Sequence, residues 1–250
     1  MNVRLDGRRI IVTGTATGIG EGAAAYFLAA GAKVAALDYK EQSLPDDARL
    51  LKLRCDVTDR AQMTEVFDQA AEFLGGLDAL CHPAGINGRG VAEELTPQDM
   101  RQMFEINVMG TYNTNQEAWR FMKDDGGSII NFTSFASIRG AKNEAHYSAS
   151  KGAVAGWTRA LAYDWAKYNI RVNAIAPMAW TPMMDVALAF LPEDQRQGAI
   201  DLANNSRPLP GGLRPGSAIA PMLAFLCAQE ADYITGQTFS VDGGMMMIGS

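Results

Sequence analysis

A chain of 250 residues is long enough for one α/β domain or for two small ones. Hydrophobic residues make up 48% of it and charged residues 20%, a balance typical of a globular protein with a large buried core. The formal net charge of −6, with no basic run, argues against nucleic acid or an anionic membrane surface as a partner.

The cysteines and histidines indicate neither disulfides nor a metal centre. Cys55, Cys81 and Cys227 are odd in number and lie in apolar surroundings, which predicts reduced core residues of a cytoplasmic protein. His82 and His146 have no companions at ligand spacing, so no metal site is predicted. No apolar run reaches the length of a membrane span, and the N-terminal residues lack the apolar core of a signal peptide.

Short apolar runs alternate with longer segments of helical periodicity along the whole chain. The predicted strands are Arg9–Thr13, Lys33–Asp38, Leu50–Cys55, Ala79–His82, Ser128–Thr133, Arg171–Ile175 and Thr238–Val241. The predicted helices are Ile19–Ala30, Ala61–Phe73, Pro97–Met122, Ala145–Tyr168 and Ser217–Ala228. Near-continuous apolar strands alternating with helices predict a parallel sheet covered on both faces. No repeat or linker divides the chain, so residues 1–250 are predicted to form a single domain.

Residues 178–216 interrupt this alternation. The stretch contains no convincing strand, carries several prolines and includes the apolar segment Met183–Leu191. An insertion of this length in a compact domain is usually a lid or a binding loop, so we predict that it closes over a ligand. A plain surface excursion is the alternative.

The first predicted strand runs into a glycine-rich turn that opens a helix, Thr13-Gly14-Thr15-Ala16-Thr17-Gly18-Ile19-Gly20. Glycines let the backbone approach a pyrophosphate closely, and a helix N-terminus supplies free N–H groups and the positive end of a dipole. The turn therefore predicts a dinucleotide site, although its spacing differs from the commonest fingerprint. A tight strand–helix turn without a ligand is the alternative.

Asp38 closes the second predicted strand, eighteen residues after Gly20. A carboxylate at that place can accept both ribose hydroxyls of adenosine and would repel a 2′-phosphate, which favours NAD over NADP. No Arg follows it, and Lys40 is the single nearby cation. Asp56, followed by Val57, comes directly after the third predicted strand, where its carboxylate can accept from the adenine amino group or simply cap the next helix.

Tyr147 and Lys151 are four residues apart, and Ser134 lies thirteen residues before Tyr147. On a helix this spacing puts the Tyr and Lys side chains on one face. A neighbouring ammonium lowers the pKa of a phenol, and a serine hydroxyl can hold a reacting oxygen. An ordinary helix with an exposed Lys and a half-buried Tyr is the alternative for an isolated pair. His146 lies about 100° away from Tyr147 around the helix, which predicts a surface or interface residue.

Together these features resemble the short-chain dehydrogenase/reductase family, in its shorter single-domain branch. The matching residues are Thr13–Gly20, Asp38, Asp56-Val57, Ala84-Gly85, Asn107, Ser134, Tyr147 with Lys151, Pro177, Thr181-Pro182-Met183, Tyr233–Gly236 and Val241–Gly244. They cover essentially the whole chain, in order and at family spacing. The resemblance implies a single-domain, doubly wound Rossmann fold with about seven parallel strands and helices on both faces.

The resemblance also implies a role for each matching residue. Tyr147 would be the general acid/base, Lys151 would lower its pKa, and Ser134 would orient the substrate oxygen. Asn107, the fourth catalytic candidate, would hold a water that links Lys151 to solvent. The implied NAD-binding residues are Gly14, Thr17, Gly18, Ile19, Gly20, Asp38, Asp56, Val57, Ala84, Gly85, Tyr147, Lys151, Pro177 and Thr181.

Two positions depart from the family pattern. His82-Pro83 stands where the family usually has two asparagines, and Met178 stands where a glycine usually follows Pro177. Pro83 removes a backbone donor. We interpret His82 as a hydrogen-bonding brace of the sheet rather than a catalytic group. Met178 either narrows the nicotinamide end of the site or supplies an apolar wall for the substrate.

The implied activity is reversible hydride transfer between NAD(H) and a secondary alcohol or its ketone. The candidate substrate residues are Ser134, Phe135, Met178, Trp180 and Met184, which favour an apolar or cyclic substrate unless the apolar ones merely pack the lid. Arg89 is a candidate partner for a substrate carboxylate. The alternatives are an NADPH-dependent ketone reductase and a non-catalytic dinucleotide-binding regulatory protein. The resemblance further implies a homotetramer, with the apolar run Met245–Ile248 as a candidate intersubunit contact.

Overall fold

The computed structural model describes residues 3–247, so Ile248 of the predicted intersubunit contact lies outside the described residues. Seven parallel strands form one sheet in the order β3-β2-β1-β4-β5-β6-β7. The strands are β1 (Arg9–Thr13), β2 (Lys33–Asp38), β3 (Leu50–Arg54), β4 (Ala79–Cys81), β5 (Gly127–Phe132), β6 (Ile170–Pro177) and β7 (Thr238–Val241). The predicted fold class, a doubly wound parallel sheet in a single domain, is confirmed.

Helices connect the strands. They are α1 (Gly18–Ala29), α2 (Arg60–Leu74), α3 (Pro97–Phe104), α4 (Gly110–Met122), α5 (Ala136–Arg139), α6 (Ala145–Asp164), α7 (Pro182–Ala189), α8 (Glu193–Asn205) and α9 (Ala220–Cys227). Local signals set several of the boundaries. The Asp59 carboxylate caps α2 by accepting from the backbone N–H of Gln62 at 3.0 Å, and Gly75 ends that helix with φ of 80°. Thr96 and Asp99 form a reciprocal capping box that opens α3.

The core lies in two layers, one on each face of the sheet. Successive residues of β1 alternate between them, as the period of two of a strand requires. Ile10 and Val12 pack with Phe27 of α1 in the first layer, whereas Ile11 packs with Phe67 of α2 in the second. Burial on both faces explains why the strands are continuous apolar runs rather than alternating ones.

The chain runs outward in two directions from the middle of the sheet. Successive strands proceed from β1 to β2 and β3 on one side, and from β4 to β7 on the other. A crevice therefore opens at the carboxyl ends of β1 and β4, where ligands of such sheets bind. The glycine-rich turn follows β1, and the segment His82–Gly85 follows β4, so both border this crevice.

Two segments differ from the sequence prediction. The helix predicted over 97–122 is interrupted by a π-helical turn at Glu105–Met109, a feature often found at functional sites. The predicted insertion at 178–216 contains two helices, α7 and α8, that the sequence pattern did not indicate. Neither helix has a fully buried residue, so neither needs the apolar stripe by which a core-facing helix is recognised.

None of the helices within residues 3–247 combines the length and the apolar character needed to cross a membrane.

Candidate active site

The catalytic candidates converge at the carboxyl edge of the sheet. Ser134 follows β5 and is buried, while Tyr147 and Lys151 lie one turn apart near the start of α6. The Lys151 side chain is almost enclosed, since the residue is only 6% exposed. Its ammonium donates to the Phe132 carbonyl at 3.0 Å and lies 6.0 Å from the centre of the Tyr147 ring. The structure therefore brings together the three groups that the sequence singled out.

The pKa of Tyr147 differs from the sequence expectation. Burial raises the pKa of the Tyr147 phenol to about 12, the Ser134 hydroxyl partly offsets that rise, and the charge of Glu144 adds to it. The expected lowering of this pKa by Lys151 is not seen in the protein alone. Burial also lowers the pKa of Lys151 to about 8, and its ammonium is engaged by a backbone carbonyl instead of the phenol oxygen.

Asn107 occupies the π-helical turn and is buried. Its Oδ1 accepts from the backbone N–H of Ile86 at 2.8 Å, and its Nδ2 donates to the Ile86 carbonyl at 2.9 Å and to Ser150 Oγ at 3.1 Å. A Cβ on Gly85 would lie 2.8 Å from Asn107 Oδ1 and 3.3 Å from Lys151 Nζ. Asn107 therefore clamps the segment after β4 against the catalytic helix, which the sequence did not indicate.

The glycine turn leaves room that a side chain would fill. Gly14 has φ of 64°, and a Cβ on it would approach the Cα of Ala84 to 2.9 Å. A Cβ on Gly20 would lie 2.1 Å from the Gly14 carbonyl oxygen. The N-cap of α1, Thr17, makes no side-chain hydrogen bond to the first turn, so no side chain occupies those N–H groups there. These features fit a dinucleotide pyrophosphate at the start of α1.

Asp38 is buried beside the glycine turn. Its Oδ2 accepts from the backbone N–H of Ala16 at 2.9 Å, and its Oδ1 accepts from the N–H of Lys40 at 2.9 Å. Each carboxylate oxygen can accept a second hydrogen bond, so the group is oriented and still able to bind hydroxyls.

The two candidate adenine contacts after β3, Asp56 and Val57, are engaged in local contacts of the chain itself. The Asp56 carboxylate accepts from the backbone and the hydroxyl of Thr58 at 2.9 and 2.8 Å, and thus holds a local turn. Val57 is buried, and a Cβ on Gly110 would lie 2.7 Å from its side chain. Asp59, rather than Asp56, caps α2, so the Asp56 carboxylate has no role in capping that helix.

His82 braces the sheet, as interpreted from the sequence. Its Nδ1 lies 2.9 Å from the Thr13 hydroxyl, and that hydroxyl also accepts from the backbone N–H of Ala84 at 3.3 Å. Burial lowers the pKa of His82 to about 3, with a further contribution from Lys151, so the ring is neutral at ordinary pH. The brace ties the end of β1 to the segment after β4 across the crevice.

The candidate site residues at the start of the lid segment lie in two separate places. Thr181 lies against the glycine turn, since its side chain would be 3.4 Å from a Cβ on Gly18. Trp180 lines a cleft of about 420 Å³ with Gly18 and Pro215. Met178, which follows Pro177 at the end of β6, lines a different cavity of about 160 Å³. Neither lining includes Ser134 or Tyr147, so these predicted substrate residues share no single cleft with the catalytic group.

The other two apolar substrate candidates are half-buried. The ring of Phe135 lies under the Arg139 guanidinium, 5.3 Å from its centre, one residue after Ser134. Met184 lies in the first turn of α7, where its backbone N–H donates to the Thr181 carbonyl at 2.8 Å. Phe135 is therefore the chain neighbour of Ser134, and Met184 is bonded to Thr181, which lies on the glycine turn.

A charged pair beside Tyr147 was missed by the sequence analysis. Glu144 Oε1 lies 3.7 Å from Nε of Arg89, so Arg89 faces a carboxylate of the chain itself rather than standing open for one of a substrate. The sequence feature that could have revealed this pair is the position of Glu144, three residues before Tyr147. The surface prediction for His146 is wrong, since this ring is buried beneath the segment after β4 and lies next to Gly88.

Over the described ranges of the chain, no group of three or more His, Cys, Asp or Glu side chains is arranged to hold a metal ion. Cys55, Cys81 and Cys227 are buried and unpaired, and burial raises the pKa of each thiol.

Comparison with known proteins gives matches over nearly the whole chain. A family profile described as Enoyl-(Acyl carrier protein) reductase matches residues 14–246. The chain is 34% identical to a 3-oxoacyl-(acyl-carrier-protein) reductase of Thermotoga maritima, over 98% of this chain and 100% of that one. It is 31% identical to levodione reductase of Leifsonia aquatica, over 96% of this chain and 95% of the relative.

Solved structures agree with the fold. The aldohexose dehydrogenase of Thermoplasma acidophilum superposes with a TM-score of 0.89 at 28% identity, covering 100% of this chain and 99% of that one. The three relatives are named for different substrates on the same fold.

Proposed function

Because the chain belongs to the short-chain dehydrogenase/reductase family of oxidoreductases, we propose that it transfers a hydride reversibly between NAD(H) and a secondary alcohol or its ketone. The observation that carries the proposal is the convergence of Ser134, Tyr147 and Lys151 beside the crevice that the glycine turn borders. The nicotinamide, when bound, supplies the acceptor or donor of the hydride.

The residues of the chain handle the proton and the oxygen. In oxidation, the Tyr147 phenolate takes the hydroxyl proton of the alcohol as general base, and in reduction the phenol returns it. The Ser134 hydroxyl donates to the same oxygen and holds it beside Tyr147. Lys151, a turn further along α6, would favour the phenolate through its positive charge once its ammonium turned from the Phe132 carbonyl toward the phenol. Asn107 binds the backbone of Ile86 and so holds the segment around Gly85 at the border of the site.

Asp38 supports the choice of NAD over NADP. Its carboxylate is held by two backbone N–H groups beside the glycine turn, where a 2′-phosphate would meet its negative charge. Thr15 and Ala16 add no positive charge, and the Thr15 hydroxyl is already bonded to Gln42 at 2.8 Å. The implied contact of Asp56 and Val57 with adenine remains part of the same proposal.

The proposed substrate is an apolar or cyclic alcohol. Phe135 lies beside Ser134, and Met178, Trp180 and Met184 belong to the lid segment, from which they would add apolar surface to the site on closure. Residues 178–216 would close over the substrate as a lid, with helices α7 and α8 as its moving parts. Their lack of fully buried residues is consistent with a segment that changes position at low cost.

The test is hydride transfer followed at 340 nm with a panel of cyclic and acyclic secondary alcohols. Tyr147→Phe is expected to lower turnover at least about a hundredfold, the scale of one general acid/base. Tyr163→Phe is the matched control, since Tyr163 lies on the same helix but is 86% exposed. Near wild-type turnover in Tyr147→Phe would contradict the mechanism.

Two rival functions are decided by the same assay. An NADPH-dependent ketone reductase is favoured by the relatives named as reductases, and it predicts a higher kcat/KM with NADPH than with NADH. A non-catalytic dinucleotide-binding protein would bind the cofactor and transfer no hydride to any substrate of the panel.

The proposal extends to a homotetramer in the cytoplasm. In the predicted contact run, Met247 is 83% exposed, and such apolar surface is suited to contact with another copy. Three buried, unpaired cysteines are typical of a reducing compartment. The mass in solution at decreasing protein concentration tests the assembly, and a monomer at every concentration would contradict it.

A further inference from the structure

A carboxylate stands at the N-cap of the catalytic helix. The backbone N–H of Ser148 donates to the Glu144 carbonyl at 2.8 Å, although the φ of −131° at Glu144 is not helical. As the N-cap, Glu144 directly precedes the first turn of α6, which carries Tyr147 three residues further along the chain. The Glu144 side chain is only 12% exposed, so its charge acts through protein rather than through bulk water.

Arg89 faces this carboxylate from the segment after β4. Its Nε lies 3.7 Å from Glu144 Oε1, a distance too long for a hydrogen bond but short enough for a strong charge interaction. The segment is held in place, because the backbone N–H of Gly90 donates to the Asn143 carbonyl at 2.8 Å. The clamp of Ile86 by Asn107 fixes its other end. The backbone that carries Arg89 is therefore anchored on both sides, next to the start of α6.

We propose that Glu144 and Arg89 act together as positioning residues that set the pH range in which Tyr147 works. Glu144 opposes formation of the phenolate, and Arg89 limits that opposition. The inference rests on the proposed function in one respect, that Tyr147 is the acid/base.

The direction follows from the charges around Tyr147. A like charge disfavours the phenolate, and the charge of Glu144 does raise the pKa of Tyr147. Burial raises the pKa of Glu144 itself, and Arg89 acts in the opposite sense. At the alkaline pH where a phenol titrates, Glu144 is ionised and its effect is complete.

Other polar groups face the same region. Lys151 Nζ lies 6.0 Å from the centre of the Tyr147 ring, and the Ser134 hydroxyl forms a hydrogen bond with the phenol. His82 of the segment after β4 stays neutral, because burial lowers its pKa to about 3. His146 lies under Gly88, and Asp99 on α3 is exposed and bonded to Thr96, so solvent screens its charge. Among these charged groups, all within residues 3–247, Glu144 is thus the anion that solvent does not screen.

Single substitutions of the pair should move the pH profile of oxidation in opposite directions. Glu144→Gln removes the opposing charge, so kcat/KM should reach its plateau at a pH lower by about half a unit or more. Arg89→Gln leaves Glu144 without its counter-charge and should move the plateau to higher pH. The double variant should fall between the two. Asp46→Asn, which breaks an exposed ion pair with Lys52, is the control and should leave the profile unchanged.

A second measurement does not depend on turnover. The tyrosine side-chain carbon next to the hydroxyl can be labelled with ¹³C and its NMR signal followed against pH, with Tyr147→Phe identifying the Tyr147 resonance. The expected midpoints rise from Glu144→Gln through wild type to Arg89→Gln.

The outcomes separate the two proposals. The same midpoint in wild type and both single variants, or a reversed order, would overturn the role of the pair. Absence of turnover in every protein together with the expected NMR order would instead overturn the proposed activity and leave the pair's effect on Tyr147 standing.

Discussion

Replacing Asn107 by Ala is expected to loosen the segment after β4 and thereby to reduce both stability and activity. The substitution removes the bond that Oδ1 accepts from the Ile86 N–H at 2.8 Å and those that Nδ2 donates to the Ile86 carbonyl and to Ser150 Oγ at 2.9 and 3.1 Å. Both backbone groups of one residue lose their partner together, so this change affects the fold more than the loss of a single surface bond.

The magnitude follows from the number and place of these bonds. A hydrogen bond contributes about 1 kcal/mol, and a buried group left without a partner costs about 1–3 kcal/mol. Ile86 is only half-buried, and water can reach part of the gap, so we expect a loss of about 2–3 kcal/mol for Asn107→Ala. Asn113→Ala on α4 is the matched control, since the Asn113 amide donates one bond, to the Val57 carbonyl at 3.0 Å, and should cost about 1 kcal/mol.

Urea unfolding of both variants and the wild type measures these losses from the midpoint at an unchanged slope. Turnover, measured on the folded variants, should fall in Asn107→Ala and stay near wild type in Asn113→Ala. Equal stability losses in the two variants would refute the reasoning, because they would show that the Ile86 clamp contributes nothing beyond one amide bond.

Three further outcomes are expected. Asp38→Asn should raise the ratio of kcat/KM with NADP to that with NAD about tenfold or more, since it removes the charge that repels a 2′-phosphate; an unchanged ratio would remove Asp38 from cofactor choice. Gly14→Ala should lower stability and NAD affinity more than Gly7→Ala, because both have positive φ but only Gly14 would clash with Ala84; equal losses would mean that strain alone matters. The pKa of His82 is lowered to about 3 in the folded protein, so between about pH 6.5 and 3 the unfolded chain binds more protons than the folded one. The contribution of His82 to stability is therefore complete above about pH 6.5 and falls as the pH drops. The midpoint of thermal unfolding of His82→Asn should decline less between about pH 7 and 4 than that of the wild type, and an equal decline would contradict the buried brace.

Much of the candidate site was predictable because its residues are close together in the sequence and their spacing determines their local geometry. The glycine turn requires a positive φ at Gly14 and close backbone approach at Gly20, and only glycine meets both conditions. Tyr147 and Lys151 share a helix face, which their spacing of four determines. These features depend on local geometry, so they are readable from one chain.

The contacts that tune the site were not predictable in this way. Asn107 contacts Ile86 from within a π-helical turn, and the apolar pattern of residues 97–122 does not predict that turn. Arg89 meets Glu144 across 55 residues of sequence, through the packing of one loop on the start of α6. Helices α7 and α8 were missed because they bury no side chain that would mark a periodic face.

The sequence alone predicted the class of the fold and the segments that form its strands, because apolar periodicity and glycine placement are local properties. It also singled out Ser134, Tyr147 and Lys151 as candidate proton-transfer groups, through their spacing and the family resemblance. Tertiary structure decided how those groups are tuned. Burial raises the pKa of Tyr147 to about 12 and lowers that of Lys151 to about 8, opposite to what their spacing alone suggested for the phenol. The physical reason is that desolvation depends on everything packed around a group, which includes parts of other elements, such as Ser134 and the Phe132 carbonyl, that helix spacing does not reveal.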